Sequence, residues 1–118
     1  MTVSRDDKEF THHIVDLMQG IGPVNAKRMF GGYGIFLDGL MFALISDGLL
    51  YLKADTENRA DFIKHNLGAF SYIKKGKECR LSYFQSPEDA LEDPEIMNDW
   101  ARLSYAAALR GAAAKLKK

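Results

Sequence analysis

Two Asp-Gly pairs are the feature of this sequence that most constrains its fold. Asp38-Gly39 and Asp47-Gly48 lie nine residues apart, and each is flanked by apolar residues. An Asp-Gly pair between two apolar runs is a strong local signal for a tight hairpin, because its turn needs positive φ at both central positions. The sequence therefore predicts an antiparallel meander with strands at about 24–30, 33–37, 40–46 and 49–53.

Both faces of this predicted sheet are apolar. If both turns are two-residue loops, one face carries Tyr33, Ile35, Leu40, Phe42, Leu44 and Tyr51. The other face then carries Phe36, Met41, Ala43, Ile45, Leu50 and Leu52. A sheet with one side in water normally alternates apolar and polar residues. We therefore expect helices on both sides of the sheet, or another protein surface on one side.

Helical periodicity flanks the meander. In the first segment, apolar residues recur at spacings of three and four, with Ser4 as a predicted N-cap; they are Phe10, Ile14, Leu17, Met18 and Ile21. A second helix is predicted within 54–68, capped by Asp55 or Thr56 and ended by Gly68. A second hairpin is then predicted around Lys75-Gly76.

The last segment predicts one long helix, with acidic residues near its start and basic residues near its end. Ser86 before Pro87 and Asp93 before Pro94 both have the pattern of a cap followed by a first-turn proline. Two apolar stripes lie on opposite sides of this helix: Ile96, Trp100, Leu103 and Ala107 on one, and Tyr105, Leu109, Ala112 and Leu116 on the other. Such a helix is buried on both sides or presents one side to a partner.

Composition predicts one small domain of the cytosol. The chain has 118 residues, and its 16 basic and 16 acidic side chains cancel, so no strong overall field attracts nucleic acid or an anionic membrane. We expect neither a signal segment nor a membrane helix, because the sequence has no apolar run of the required length. The single cysteine, Cys79, fits a reducing compartment.

The stretch RMFGGYG, residues 28–34, raises the question of a phosphate-binding loop. A phosphate loop places glycines at the start of a helix, where free N–H groups meet the anion. Here the following residues have the pattern of a strand and hairpin, where glycine marks a bulge, a bend or a close backbone approach. We favour the structural interpretation; a ligand site formed by Arg28, Tyr33 and the glycines is the minor alternative.

No other residues form a convincing catalytic or metal-binding set. His12 and His13 are adjacent and point apart on a helix, and His65 stands alone, so exposed histidines are expected. Cys79 is expected to be a buried thiol, and the acidic cluster at 88–99 a solvated helix start. Trp100 is expected to anchor the core, with an interface role as the alternative. We predict no cofactor, no metal and no enzymatic activity.

Several separated landmarks give the chain a resemblance to the N-terminal domain of the TfoX/Sxy family of bacterial competence regulators. The resemblance covers about 10–110. Its specific parts are Arg28-Met29-Phe30-Gly31-Gly32 with Gly34, the Asp47-Gly48 turn before Tyr51-Leu52-Lys53, Phe70 and Tyr72 before Gly76-Lys77, Ser82-Tyr83 with Pro87, and Trp100.

The resemblance implies an α+β fold of order α-β-β-β-α-β-β-α, with an antiparallel sheet and packed helices, in a two-layer sandwich like that of secretion chaperones. It also implies a protein without known catalysis. Full-length family members activate DNA-uptake genes together with a cyclic-AMP-responsive transcription factor, and they carry a second, C-terminal domain. We expect 1–118 to be a single N-terminal-type domain without that second domain, since the sequence ends at Lys118.

The leading hypothesis is a cytoplasmic regulatory module that acts through protein contacts, with transcription machinery or a regulator as partner. A homodimer through the last helix or the sheet would cover the spare apolar surface. The candidate interaction residues are Arg28, Met29, Phe30, Gly31, Gly32, Tyr33, Gly34, Trp100, Tyr105 and Leu109. The alternative is low-specificity nucleic-acid binding by the basic tip at 74–80 and the basic tail, with Tyr72 and Tyr83 stacking on bases.

Overall fold

The fold is an antiparallel sheet with helices packed on it, in a computed structural model that describes residues 7–29 and 32–116. The helices are α1 (Asp7–Leu17), α2 (Arg59–Lys64) and α3 (Pro94–Leu116). The strands are β1 (Asn25–Met29), β2 (Gly32–Leu37), β3 (Leu40–Ser46), β4 (Leu49–Lys53), β5 (Ala69–Lys74) and β6 (Lys77–Gln85). The predicted α+β class is confirmed, and the first strand-rich segment holds the four strands that the residue pattern predicts. The predicted cap Ser4 lies outside the described residues.

Three tight turns set the strand order. Asp38, Asp47 and Lys75 each adopt φ near +50°, and each is followed by a glycine with φ between 75° and 79°. Positive φ at both central positions matches the right-handed twist of the flanking strands, which is why Asp-Gly and Lys-Gly pairs close these hairpins. The three predicted hairpins are therefore confirmed.

The strands form one six-stranded sheet in the order β1-β2-β3-β4-β6-β5. All neighbouring strands are antiparallel. The pairing of β6 with β4 is limited to Tyr83–Gln85 against Tyr51–Lys53. The rest of β6, with β5, thus extends beyond the end of β4 as a two-stranded arm.

The helices pack on one face of the sheet and enclose the core. Phe10 and Ile14 of α1, and Met18 in the 3-10 turn that follows it, are buried as the predicted stripe requires. Phe62 of α2 stacks on Phe84, with ring centroids 5.2 Å apart. The sheet contributes the strand side chains of the core cluster, which are Ile35, Leu37, Phe42, Ala43, Ile45, Leu50 and Leu52. The expectation of helices on both faces is wrong, since the described helices cover only this one.

A β-bulge in β3 explains why the predicted division of the two faces is wrong. Ile35 pairs with Ala43, but the next residue of β2, Phe36, pairs with Met41, so Phe42 has no counterpart. Phe42 and Ala43 are both fully buried in the helix-covered core. The bulge thus moves Ala43, Ile45, Leu50 and Leu52 to the helix-covered face with Ile35. Leu44 and Tyr51 lie on the opposite face instead.

The buried side of α3 shares only Ala107 with the two predicted stripes. It is formed by Met97, Ala101, Ser104, Ala107 and Ala108, and the small side chains of the last four let the helix approach the sheet closely. Periodicity based on large apolar residues overlooks such a side, because alanine and serine contribute little to it. The Ser104 hydroxyl is buried, with no hydrogen-bond partner among the described residues.

Of the two caps predicted before α3, Asp93 caps the helix and Ser86 does not. Asp93 accepts hydrogen bonds from the N–H groups of Glu95 and Ile96 at 2.9 and 3.2 Å, which confirms it as a cap of α3. Ser86 does not cap a helix; its hydroxyl contacts the carbonyl of Pro87 at 3.5 Å.

Asp55 accepts a bidentate pair of hydrogen bonds from Arg110 of α3, with Nε–Oδ2 at 2.6 Å and Nη2–Oδ1 at 2.9 Å. The Arg110 hydrogen bond, opposed by burial and assisted by N–H donors of the turn, lowers the pKa of Asp55 to about 2. This pair ties the end of α3 to the segment that leads into α2.

Across the described residues, no helix combines the length and apolarity required to span a bilayer.

Candidate interaction surface

The face of the sheet that points away from the described helices is called here the open face. Paired residues and residues two apart on a strand share a face, so the register assigns its members. They are Asn25, Lys27 and Met29 of β1, Gly32, Gly34 and Phe36 of β2, Met41, Leu44 and Ser46 of β3, Leu49, Tyr51 and Lys53 of β4, Phe70, Tyr72 and Lys74 of β5, and Lys77, Cys79, Leu81, Tyr83 and Gln85 of β6. Leu44 and Tyr83 are buried, yet both lie outside the helix-covered core cluster.

An apolar cleft lies on the open face where the β5–β6 arm curls over β2 and β3. Met29, Met41 and Leu44 line it from the first half of the sheet, and Phe70, Tyr72 and Leu81 line it from the arm. Its volume is about 240 Å³. Tyr72 and Leu81 are 39% and 38% exposed, so the arm side of the cleft is open to solvent. Exposed apolar patches on monomeric domains are typical of contact sites when they are large and contiguous.

A row of aromatic rings holds the arm against the sheet. The ring centroids of Tyr51 and Phe70 lie 4.9 Å apart in an edge-to-face arrangement. Phe70 and Tyr72 are 6.0 Å apart and nearly parallel. Burial, and secondarily the negative charge of Asp47, raises the pKa of Tyr51. Burial alone raises the pKa of Tyr83 to about 12. Both phenols are therefore neutral at physiological pH.

The charge of the open face is entirely positive. Its charged side chains are Lys27, Lys53, Lys74 and Lys77, and its register positions include no Asp or Glu. The one acidic residue in a described strand, Glu78, lies on the opposite face, paired with Ile73. Within 7–29 and 32–116, the acids other than Glu78 therefore lie in helices, turns and loops. Asp47 in the β3–β4 turn is close enough to Tyr51 of this face for its negative charge to raise the pKa of the phenol.

Two of the lysines lie over aromatic rings. Lys27 Nζ is 5.0 Å from the centroid of Phe36, and Lys53 Nζ is 5.2 Å from that of Tyr83. These cation–π contacts hold the ammonium groups beside the apolar surface. Lys74 and Lys77 are exposed at the tip of the arm. The four lysines therefore share the face of the apolar cleft, while the residues that line the cleft carry no charge.

The glycines of the RMFGGYG stretch serve backbone geometry where the structure describes them. Gly32 and Gly34 belong to β2, so the strand prediction is confirmed for both residues. A Cβ on Gly32 would collide with the carbonyl oxygen of Ile45 on β3. A Cβ on Gly34 would lie 2.9 Å from both Met41 Sδ and a Phe36 ring carbon. Gly34 thus makes room for the side chains that form the cleft. Phe30 and Gly31 lie outside the described residues.

The other predicted residues of this stretch occupy both faces. Met29 lines the cleft. Arg28 pairs with Tyr33 and places its guanidinium 6.0 Å from the Tyr33 ring centroid. Tyr33 packs against the helix-covered core while also bordering the cleft. The structure therefore brings Met29, Gly32 and Tyr33 together at one end of the cleft.

The predicted residues of α3 lie far from the open face, on the helix layer. Trp100 is half-buried against Phe62 and His65, with ring centroids at 5.1 and 5.3 Å. Tyr105 packs edge-on against Phe42 at 5.7 Å and contributes to the core. Leu109 is 48% exposed, and nearby Leu103 is 44% exposed. Of the three predicted α3 residues, Leu109 is the one that the described chain leaves exposed.

Sequence reasoning missed most of the cleft. Met41 and Leu44 belong to the predicted sheet faces, but nothing in the strand pattern places Phe70 and Leu81 of the arm opposite β2 and β3. The available signal was the second apolar face, which indicated a surface in need of cover. The exposed, predominantly apolar strand β5, with Ile73 70% exposed, is a further sign of unpartnered surface.

Other chemistries find little support among the described residues. His13 Nε2 lies 2.6 Å from the carbonyl of Leu91, and His65 Nδ1 lies 2.8 Å from that of Asp61. No group of three His, Cys, Asp or Glu side chains in 7–29 and 32–116 is placed to hold a metal ion. Cys79 is half-buried, not buried as expected. Tyr83 is 6% exposed, so it is not available to stack on a base as the nucleic-acid alternative requires.

The fold and its surface define a small α+β domain with helices on one sheet face and an uncovered apolar face on the other. The chain belongs to the TfoX N-terminal domain family, whose family model matches residues 16–108. That range contains the whole meander, the arm and most of α3.

Two curated proteins are similar to this chain. One is the DNA transformation protein TfoX1 of Aliivibrio fischeri, 33% identical over 73 residues, which are 62% of this chain and 35% of that protein. The other is the protein Sxy of Escherichia coli, 29% identical over 90 residues, which are 76% of this chain and 43% of that protein. The chain thus spans less than half the length of the curated relatives it matches.

Proposed function

We propose that this domain is a non-catalytic regulatory module of the cytoplasm that controls gene expression, including competence genes, through contact with another protein. The observation that carries the proposal is the apolar cleft on a sheet face that no described helix covers. A domain of this size gains stability by burying apolar surface, so an apolar face that remains accessible favours a role in association. The name of the relative TfoX1, a DNA transformation protein, supports regulation of DNA uptake as the biological context.

The proposal is tested by measuring transcripts in a strain that lacks the gene. The strain is complemented with the wild-type chain or with Tyr72→Glu, which places a charge in the cleft at a side chain that is 39% exposed. We expect the wild type to change the level of a defined set of transcripts, with DNA-uptake genes among them, and Tyr72→Glu to fail.

The matched control is Ile63→Glu, which alters an apolar residue of α2 that is 57% exposed on the helix layer. It should behave as the wild type, and circular dichroism should show that all three proteins are folded. Identical transcript profiles with and without the wild-type gene would contradict a regulatory function. Loss of activity in both variants would contradict the assignment of the function to the open face.

We further propose that the domain forms a homodimer through α3. Leu103 and Leu109 are both exposed on this helix, and Leu109 borders a hollow of about 430 Å³ between α3 and the residues around Gly22. A two-fold contact would allow Leu109 of each copy to enter the hollow of the other.

Light scattering over a dilution series tests the dimer. We expect Leu109→Asp to shift the mass to that of a monomer without loss of helical signal, since the side chain lies outside the core. A wild type that stays monomeric at the highest soluble concentration would contradict the dimer and leave the regulatory proposal unaffected.

A further inference from the structure

We infer that the cleft on the open face binds an acidic amphipathic segment of a partner protein, one that presents apolar side chains flanked by Asp or Glu. This inference rests on the proposed function and specifies the chemistry of its partner. Three features of the described residues carry it: the apolar floor, the lysines on the same face of the sheet, and the location of the acids away from that face.

The floor of the cleft is suited to aliphatic and aromatic side chains. Met29, Met41 and Leu44 offer thioether and methyl groups, and Phe70 and Leu81 close the arm side. Methionine adapts its shape to different partners because its side chain is unbranched and polarizable. A volume of about 240 Å³ accommodates a few such side chains and not a whole helix. We therefore expect the apolar edge of a partner segment to enter, with its polar side remaining outside.

The lysines that share the open face with the cleft select the charge of that polar side. Lys27, Lys53, Lys74 and Lys77 provide four ammonium groups, and none of them is within ion-pair distance of a carboxylate in the described part of the chain. Complementary charge around an apolar centre steers association and excludes partners of the wrong sign. A basic or neutral segment would leave these lysines unpaired, whereas Asp or Glu beside the apolar edge would pair with them.

Nucleic acid fits this surface less well. Stacking on single-stranded bases needs exposed aromatic ring faces. Of the open-face rings, Tyr72 is 39% exposed, while Tyr83 is buried and the Phe70 ring lies between those of Tyr51 and Tyr72. The thioether and aliphatic groups on the floor provide no donors or acceptors for base edges.

A second copy of this chain also fits less well. Apolar residues beside its acids, such as Leu17, Leu91 and Ile96, already pack against its own core. Leu103 and Leu109, which are exposed on α3, are adjacent to Arg102 and Arg110, and those cations would approach the lysines of the open face. The electrostatic argument therefore favours a different protein as the occupant.

The test measures binding of purified wild-type protein to fluorescein-labelled synthetic peptides by fluorescence anisotropy. The probe is a helix-forming peptide with leucine and phenylalanine on one side and glutamate on the other. Two controls are its isomer with lysine in place of every glutamate and a scrambled isomer without the amphipathic pattern. A labelled single-stranded oligonucleotide is the fourth probe. We expect saturable binding of the acidic amphipathic peptide alone.

Paired variants locate the site. Tyr72→Ala should weaken binding of the acidic peptide by about tenfold, as expected for loss of a central aromatic contact. The double variant Lys74→Glu with Lys77→Glu should weaken it by at least about tenfold at low salt, with a smaller effect at high salt. The matched controls on α2, Ile63→Ala and Lys64→Glu, should bind the peptide as the wild type does.

The inference is overturned by any of three results. These are equal binding of the acidic and basic peptides, tighter binding of the oligonucleotide, and a self-association that the Tyr72 and lysine variants abolish. Such a result leaves the regulatory proposal standing if Tyr72→Glu still loses transcript control in cells. If peptide binding is confirmed but no transcripts respond to the gene, the proposed function fails and the cleft assignment stands.

Discussion

The two faces of the sheet are similar in sequence and different in the folded chain. Each carries apolar residues on most strands, yet the helix-covered face encloses fully buried side chains such as Phe42, Ile45 and Leu52. The open face holds an accessible cleft and four lysines without a carboxylate on the same face. The difference teaches that the apolar content of a sheet face does not by itself decide whether the helices cover it.

The largest expected effect compares an aromatic truncation on each face. Phe42→Ala should lower the free energy of unfolding by about 3–5 kcal/mol, because the ring is fully buried and leaves a cavity. Tyr72→Ala, at a side chain that is 39% exposed, should cost about 1 kcal/mol or less. Urea denaturation measures both values. Similar losses for the two variants would mean that the open face is as well packed as the core.

The second prediction concerns Gly32 and Gly34, the two glycines of β2. Gly32→Ala should cost about 3 kcal/mol, because the new methyl group meets the Ile45 carbonyl of a paired strand. Gly34→Ala should cost about 1 kcal/mol, since the thioethers it meets can move aside. Gly68→Ala is the control, because its Cβ would have no neighbour within 4 Å. Thermal unfolding ranks the three, and equal stability of the two β2 variants would contradict the backbone collision.

The third prediction tests the buried part of the open face at high pH. The pKa of Tyr83 is raised from 10.0 to about 12, so folding favours the neutral phenol. This stabilisation is fully present below the unfolded pKa and is lost as pH rises from 10.0 to about 12. The wild type should lose on the order of 2 kcal/mol over that range. Tyr83→Phe should lose less, and parallel alkaline denaturation curves for both proteins would refute the effect.

The smallest expected effect concerns an ion pair of the helix layer. The pKa of Asp55 is lowered from 3.8 to about 2 by Arg110, so the pair stabilises the fold above the unfolded pKa and loses its effect as pH falls through the folded value. Arg110→Gln should lower the melting temperature at neutral pH, and the gap to the wild type should narrow between pH 3.8 and about 2. Arg102→Gln, from an exposed pair with Asp99, should change little. A gap that is independent of pH would point to packing by the Arg110 side chain.

Local signals predicted the elements of this fold well. The turns at Asp38-Gly39 and Asp47-Gly48 specify their own backbone, so the meander followed from a few residues. The stripe of α1 was equally clear, because its buried positions are large and apolar. The buried side of α3 was missed, because Ala101, Ser104 and Ala108 carry little hydrophobic signal although they pack closely.

Long-range geometry limited the prediction of the candidate site. The bulge at Phe42 has no glycine or proline to reveal it, and it reversed the faces assigned to Leu44 and Tyr51. The cleft depends on the arm crossing over β2 and β3, which places Tyr72 near Met29 across some forty residues of chain. Side-chain alternation reports which residues share a face of one strand, but not which distant strand lies over them.

The bulge also determines how this domain can vary in length. Removing Phe42 would restore strict alternation and keep Met41 on the open face, but it would take a fully buried ring out of the core. Removing Lys74 together with its partner Lys77 would shorten the exposed tip of the arm and keep the register of the remaining pairs. Insertions and deletions should therefore accumulate at the tip of the arm, while β3 keeps a constant number of residues.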